Sequence, residues 1–241
     1  YVSSQLQDNE YLGDSFASVF RTTANLHVFD ELHLAVSVRS FRSERVSAFV
    51  KALLDCELKT AQEIYQHIHP VYPIILTRNL TTAKEWLRYK ARGSERIGLL
   101  ASSGALRLRP VGINVKSSIG VTNWFLNDKD DVRSSYFLEE VATEFDIQGL
   151  ELDWTCVAWD ADMRFSPEGW ELKKFKGTKW QNIKDDSNRL YLKNAYRVLL
   201  TRARQGMVIL VPEGDHDDET RSPAFYDRTY QYLLSIGINE I

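Results

Sequence analysis

The chain has 241 residues, 44% hydrophobic and 26% charged, with 12 glycines and 6 prolines, a balance that supports a buried core and excludes collagenous, disordered and low-complexity classes. At roughly 150 residues per domain it holds one large domain or two small ones. No apolar run approaches the roughly 20 residues of a membrane span, and a net charge of −3 leaves affinity for polyanions to the placement of charge rather than its sum.

The chain opens Tyr1-Val2-Ser3-Ser4 without an initiator methionine, its only methionines being Met163 and Met207, and reads as a piece of a longer polypeptide. Asp30-Glu31-Leu32-His33 mimics an acidic magnesium-binding box but has no phosphate loop upstream, which makes it a decoy. Val46, Phe49, Val50, Leu53 and Leu54 recur at helical spacing behind Ser43, an expected N-cap. Ala61, Ile64, Tyr65 and Ile68 predict a second helix, and Tyr72 to Thr77 a short buried strand. Thr82-Ala83-Lys84-Glu85 has capping-box spacing for a helix that Gly93 would close. Gly93-Ser94-Glu95-Arg96-Ile97-Gly98 runs into Leu99, not the Lys-Ser/Thr pair of a phosphate loop.

Ile97 to Ala101 reads as a second buried strand, and Trp154 to Trp159 as a third. Residues 160–188 lack clear periodicity and read as an irregular insertion. Residues 189–204 predict a long helix, Met207 to Val211 a strand, and 223–236 a last helix ending at Gly237. Apolar strands alternating with amphipathic helices predict an α/β fold: a mainly parallel sheet with helices on both faces.

The charges are unevenly spread. Lys84, Arg88, Lys90, Arg92, Arg96, Arg107, Arg109 and Lys116 oppose only Glu85 and Glu95, whereas the tail from Glu213 is acidic. The basic stretch is either a solvated helix face or a surface for phosphates. In the insertion, Trp170, Phe175 and Trp180 interleave with Lys173, Lys174, Lys176 and Lys179, a composition that suits either single-strand stacking or domain packing. His67 and His69, with no cysteine nearby, read as solvated, and Asp215-His216-Asp217-Asp218-Glu219 as a solvated turn. Cys56 and Cys156 are too few for a disulfide framework or a four-ligand zinc site. A reducing, cytoplasmic compartment and no metal centre are therefore expected.

Three segments carry a resemblance. They are Leu34-Ala35-Val36-Ser37-Val38-Arg39-Ser40, Thr143-Glu144-Phe145-Asp146-Ile147-Gln148-Gly149-Leu150-Glu151, and Asn194-Ala195-Tyr196-Arg197-Val198-Leu199-Leu200-Thr201-Arg202-Ala203-Arg204. In order and spacing they resemble motifs IV, V and VI of superfamily 1 helicases. Ser37-Val38-Arg39-Ser40-Phe41-Arg42, Ala91-Arg92-Gly93-Ser94-Glu95-Arg96 and Gly206-Met207-Val208-Ile209 extend the likeness over nearly the whole chain. The chain resembles more closely still the Schlafen-group-3-like DNA/RNA helicase domain.

The resemblance implies a three-layer RecA-like domain over 34–241, the second motor half of a helicase or translocase, with 1–33 as a connector from an upstream motor domain. ATP and Mg2+ would be held mainly by that upstream domain, the first partner; single-stranded DNA or RNA would be the second. Arg202 matches the arginine finger, and Arg39 a second arginine that approaches the γ-phosphate. A guanidinium delivered across a cleft stabilises the charge spread over the transferred phosphoryl oxygens. Glu151 matches an acceptor for the ribose hydroxyl, with Gln148 and Gly149 in the turn before it. Ser102, Ser103 and Arg107, with Thr143 and Phe145, would contact the strand, on the sheet edge away from ATP. Val38 stands where an adenine-stacking aromatic is common, and Phe145 where the family often has histidine. The alternative is a non-catalytic module, derived from such a domain, that only grips nucleic acid or a protein.

Overall fold

The computed structural model describes residue 27 and residues 41–241, with side chains from residue 44 of the latter stretch. The readings on 1–33 and on 34–40, Arg39 and Val38 among them, lie outside the described residues. Arg45–Ile241 forms one compact unit.

Two helices, α1 (Phe41–Leu54) and α2 (Leu58–Ile68), lead into β1 (Ile74–Thr77), α3 (Leu80–Lys90) and β2 (Ile97–Ala101). A short helix α4 (Val121–Leu126) and a two-residue strand β3 (Val141–Ala142) precede β4 (Leu152–Ala158). Strands β5 (Met163–Ser166), β6 (Gly169–Lys176) and β7 (Lys179–Asn182) follow, then α5 (Asp186–Leu200), β8 (Ala203–Leu210), α6 (Ala224–Ser235) and β9 (Asn239–Glu240). Six strands form one sheet in the order β3-β2-β4-β8-β1-β9, and every pairing in it is parallel.

Side-chain alternation explains the layers. On β4, Trp154, Cys156 and Ala158 enter one apolar cluster with Ala83 and Leu87 of α3, while Val157 enters the other with Phe49, Tyr65, Leu199 and Leu233 of α1, α2, α5 and α6. On β8, Val208 and Leu210 join the first cluster, and Met207 and Ile209 the second. A strand whose successive residues are buried on opposite faces needs helices on both. This is the expected three-layer α/β fold. Near the start of β8, Gly206 permits close packing, since a Cβ there would stand 2.6 Å from the Pro73 carbonyl and 2.7 Å from the Trp154 ring.

Several local expectations are corrected. Ser43 lies inside α1 rather than capping it. Helix α3 is capped by Asn79, whose Oδ1 accepts from the amides of Thr81 and Thr82 at 2.7 and 3.1 Å. The Thr82 box is therefore not used, and the helix ends at Lys90, with Ala91 extended, before Gly93 is reached. Helix α5 stops at Leu200, and Arg202 lies between helix and strand. There the Leu152 amide donates to the Arg202 carbonyl (3.0 Å) and Tyr72 Oη to the Ala203 carbonyl (3.1 Å). Sheet pairing thus captures the last residues of an apparent helix.

The insertion is regular, an antiparallel β5-β6-β7 meander. Its aromatics mostly pack inward: Phe165 stacks on Tyr232 at 3.9 Å, and Trp170 on Trp159 at 5.2 Å. Trp180 donates its indole N–H to the Thr220 carbonyl (2.8 Å). Among the described residues, no helix is long and apolar enough to cross a membrane.

Candidate functional site

The motif residues divide between the two ends of the parallel sheet. At the amino end, Gln148 and Gly149 form an exposed turn before β4, and Gly149 takes a φ of +81°. No atom lies within 4 Å of a Cβ built on Gly149, so glycine serves the backbone conformation there and not packing. Glu151, half-buried, is the last residue before β4. Arg202 stands at the head of the neighbouring β8, 9% exposed, its Nε donating to the Val198 carbonyl at 3.0 Å. The bond from the Leu152 amide to the Arg202 carbonyl ties these two segments together.

Beside them Arg204 pairs with Asp153 (3.1 Å), and Asp153 also accepts from the Arg96 amide (2.8 Å). Glu95 accepts from Gln205 (2.7 Å) and from the Trp154 indole (3.0 Å). These donors, the Gln205 amide first, hold the Glu95 carboxyl below its ordinary range. Arg204 is thus engaged in a carboxylate network at the sheet's amino edge.

At the carboxyl end, where parallel sheets place their ligands, Ser102, Ser103 and Gly104 leave β2 and Thr143 leaves β3. Ser103 donates its amide and hydroxyl to the Glu144 carboxylate at 2.8 and 2.7 Å. Thr143 donates its amide and hydroxyl to Asp146 at 2.8 and 2.7 Å. Those bonds bury Thr143 and fix the turn that presents Phe145, which is 63% exposed. The Phe145 ring lies 6.1 Å from that of Tyr191, also exposed, on α5.

Arg107 departs from the expected strand contact. Its guanidinium pairs with Asp218 at 2.7 Å and lies over the Phe175 ring at 5.2 Å, and its amide donates to Asp160 at 2.9 Å. Asp218, read as part of a solvated turn, is its counter-ion. Hydrogen bonds from Thr220, and then from Arg107, hold the Asp218 carboxyl below its ordinary value. Arg107 ties the β2 loop to the acidic loop after β8; it is not an outward-reaching cation.

A cleft of about 320 Å³ opens between this edge and the meander. Lys116, Lys174 and Tyr191 form its exposed rim, while Ser102, Glu144 and Asp162 are among its buried lining. Beneath it lies a polar network that no sequence expectation included. Asp160 accepts from the Ala161 amide (2.7 Å), Tyr226 Oη (2.9 Å) and the Arg107 amide (2.9 Å). Asp162 Oδ1 accepts from Tyr196 Oη at 2.6 Å, and Asp162 Oδ2 is buried beside the Ser102 hydroxyl. Burial, and then the neighbouring Asp160, push the Asp162 carboxyl up to about 7, against the opposing hydroxyls of Tyr196 and Ser102. The available signal was Trp159-Asp160-Ala161-Asp162, two acids directly behind a buried parallel strand.

Elsewhere, His67 and His69 direct Nδ1 to the carbonyls of Glu63 and Gln66. Among the described residues, no group of three or more metal-ligating side chains assembles.

The family model of the Schlafen group 3, DNA/RNA helicase domain matches residues 4–213. Among solved structures, the C-terminal domain of a possible DNA helicase from Lactobacillus plantarum WCFS1 is 13% identical, with a TM-score of 0.34. That likeness covers 79% of this chain and 98% of the other. No curated protein matches. By the family match over residues 4–213, the chain belongs to the Schlafen group 3, DNA/RNA helicase domain family.

Proposed function

We propose that this domain is the second motor half of an ATP-dependent DNA/RNA helicase or translocase, gripping a single strand at one end of its sheet and serving the nucleotide at the other. The observation that carries the reading is the partition of motif residues: Glu151, Gly149 and Arg202 before β4 and β8, and Ser102, Ser103, Thr143 and Phe145 after β2 and β3. ATP with Mg2+ would rest mainly on an upstream motor domain, against which Arg202 completes the site. The Val198 carbonyl, holding Nε, would aim the guanidinium; a planar fork suits phosphoryl oxygens better than an ammonium does.

The strand would lie across Phe145 and Tyr191, with Lys116 and Lys174 meeting phosphates. Every base has a π face, and the lysines supply sequence-independent charge. Salt-dependent binding of a fluorescent single strand tests this half of the reading. Lys174→Ala is expected to weaken all sequences alike and to reduce the slope of log affinity on log salt by about 0.7, one phosphate contact on a single strand. Tyr191→Ala should cost roughly 1–3 kcal/mol, one stacked base. Salt-independent binding, or no response to either change, would move the track elsewhere.

A further inference from the structure

Two carboxyls lie under the strand-facing loop, where two adjacent charges of one sign would be costly. Asp160 and Asp162 are each 1% exposed, and one hydroxyl links them. Tyr196 Oη accepts from the Asp160 amide at 3.2 Å and donates to Asp162 Oδ1 at 2.6 Å. Among the described residues neither carboxyl forms an ion pair. The Arg107 guanidinium is turned to Asp218 and the Arg164 Nε to the Ala161 carbonyl, while the Lys173 ammonium pairs with Glu171. A buried like-charged pair of this kind is relieved by holding a proton. Asp160 accepts from three donors, the Ala161 and Arg107 amides and Tyr226 Oη of α6, which favours its charged form. Asp162 has only the hydroxyls of Tyr196 and Ser102, so the proton stays there. Burial pushes both carboxyls upward, and Glu144, a third acid of the cleft, adds to the effect on Asp162.

The place of the pair gives that proton a use. Asp162 and Glu144 are in the buried lining of the cleft whose rim holds Lys116 and Lys174, and the Arg107 amide ties Asp160 to the far end of the same loop. A polyanion laid along that rim adds negative potential above Asp162, which favours the neutral acid over the carboxylate. By reciprocity, a strand that raises the proton affinity of Asp162 is itself held more tightly by the protonated domain. We propose that Asp162 is a proton site linked to the strand: the domain takes up a proton as it binds single-stranded nucleic acid, and its grip weakens as the medium turns alkaline. This inference rests on the strand-gripping reading above.

The test is binding of fluorescent oligo(dT), whose bases do not titrate in the range used, by the 241-residue chain at fixed salt between pH about 5.5 and about 8.5. Wild-type affinity should fall about 3- to 10-fold, the screened effect of one charge near phosphates, as pH rises through about 7. Asp162→Asn, neutral at every pH, should keep the wild type's acid-side affinity throughout. Calorimetry near pH 7 in two buffers of different ionisation enthalpy reads the proton directly, and wild type should show a net uptake that Asp162→Asn lacks. The exposed His216 of the acidic loop also titrates near this range. The uptake should persist in His216→Gln, which keeps the inference testable even if the aspartate variant folds poorly.

Salt-dependent binding that is flat with pH and takes up no proton would overturn the proton link and leave the strand reading intact. A pH profile unchanged by Asp162→Asn, or an uptake lost in His216→Gln, would overturn the assignment to Asp162. Absence of any single-strand binding would overturn both readings.

Discussion

Replacing Asp162 by asparagine tests the buried acid network through stability alone, without any ligand. The Asp162 carboxyl has its ordinary value of 3.8 raised to about 7 by burial and by Asp160. Between those two values the unfolded chain has released the proton and the native one keeps it, so stability falls as pH rises through this window. Below pH about 4 the stabilising protonated form is fully present; above pH about 7 it is lost. A carboxyl raised from 3.8 to about 7 corresponds to a full effect of about 4 kcal/mol, and the shared network with Asp160 makes about 1–3 kcal/mol the working expectation. Asparagine cannot ionise, and its Oδ1 can still accept from Tyr196. Asp162→Asn should therefore match wild type within about 1 kcal/mol near pH 4.5 and exceed its stability by about 1–3 kcal/mol near pH 8. Urea unfolding of both proteins at several pH values, with unchanged m-values, gives that difference directly. A difference flat with pH, or a wild type that gains on the variant as pH rises, would refute the placement of a raised carboxyl in this network.

Other outcomes follow from single contacts. Gly206→Ala should destabilise by about 1–3 kcal/mol in denaturant unfolding, because its Cβ meets the Pro73 carbonyl at 2.6 Å. Gly149→Ala, at φ +81° with open space around it, should cost only the left-handed strain of about 1–2 kcal/mol. Arg107→Ala should lower the thermal midpoint by leaving Asp218 without its ion pair, and should change the salt slope of strand binding far less than Lys174→Ala does. The 241-residue chain should hydrolyse no ATP above background; steady turnover abolished by a substitution within it would contradict the division of labour proposed here.

Much of the architecture was legible because parallel strands are buried on both faces. Ile97 to Ala101 and Trp154 to Ala158 are apolar runs with no polar side but Thr155, and such runs have one stable setting between helical layers. Helix ends were harder to read. Thr82-Ala83-Lys84-Glu85 has the spacing of a cap, yet Asn79 reaches the amides first, and residues 201–204 keep helical character until pairing with β4 claims them. The meander escaped notice because Trp170 and Leu172 face the core while charged residues interrupt them.

At the site, composition marked Ser102, Ser103 and Phe145 but carried no information on pairing. Arg107 looked like a free cation until Asp218, 111 residues away, was folded against it. Separations of 66 and 34 residues hid the Asp160–Tyr226 and Asp162–Tyr196 contacts in the same way, since only the completed sheet brings them together.

The central claim, that this domain is a motor half whose sheet end serves the nucleotide, is tested most directly by single-turnover ATP hydrolysis. The measurement uses the polypeptide that joins this domain to a motor half carrying a phosphate loop, with saturating single-stranded nucleic acid. Arg202→Ala is expected to lower kcat and kcat/KM together by about 10²–10⁵ while strand affinity and fold persist, and Arg202→Lys to restore little of that loss. Near-wild-type hydrolysis by Arg202→Ala, in a protein that does turn over ATP, would contradict the motor assignment and leave a module that only grips the strand.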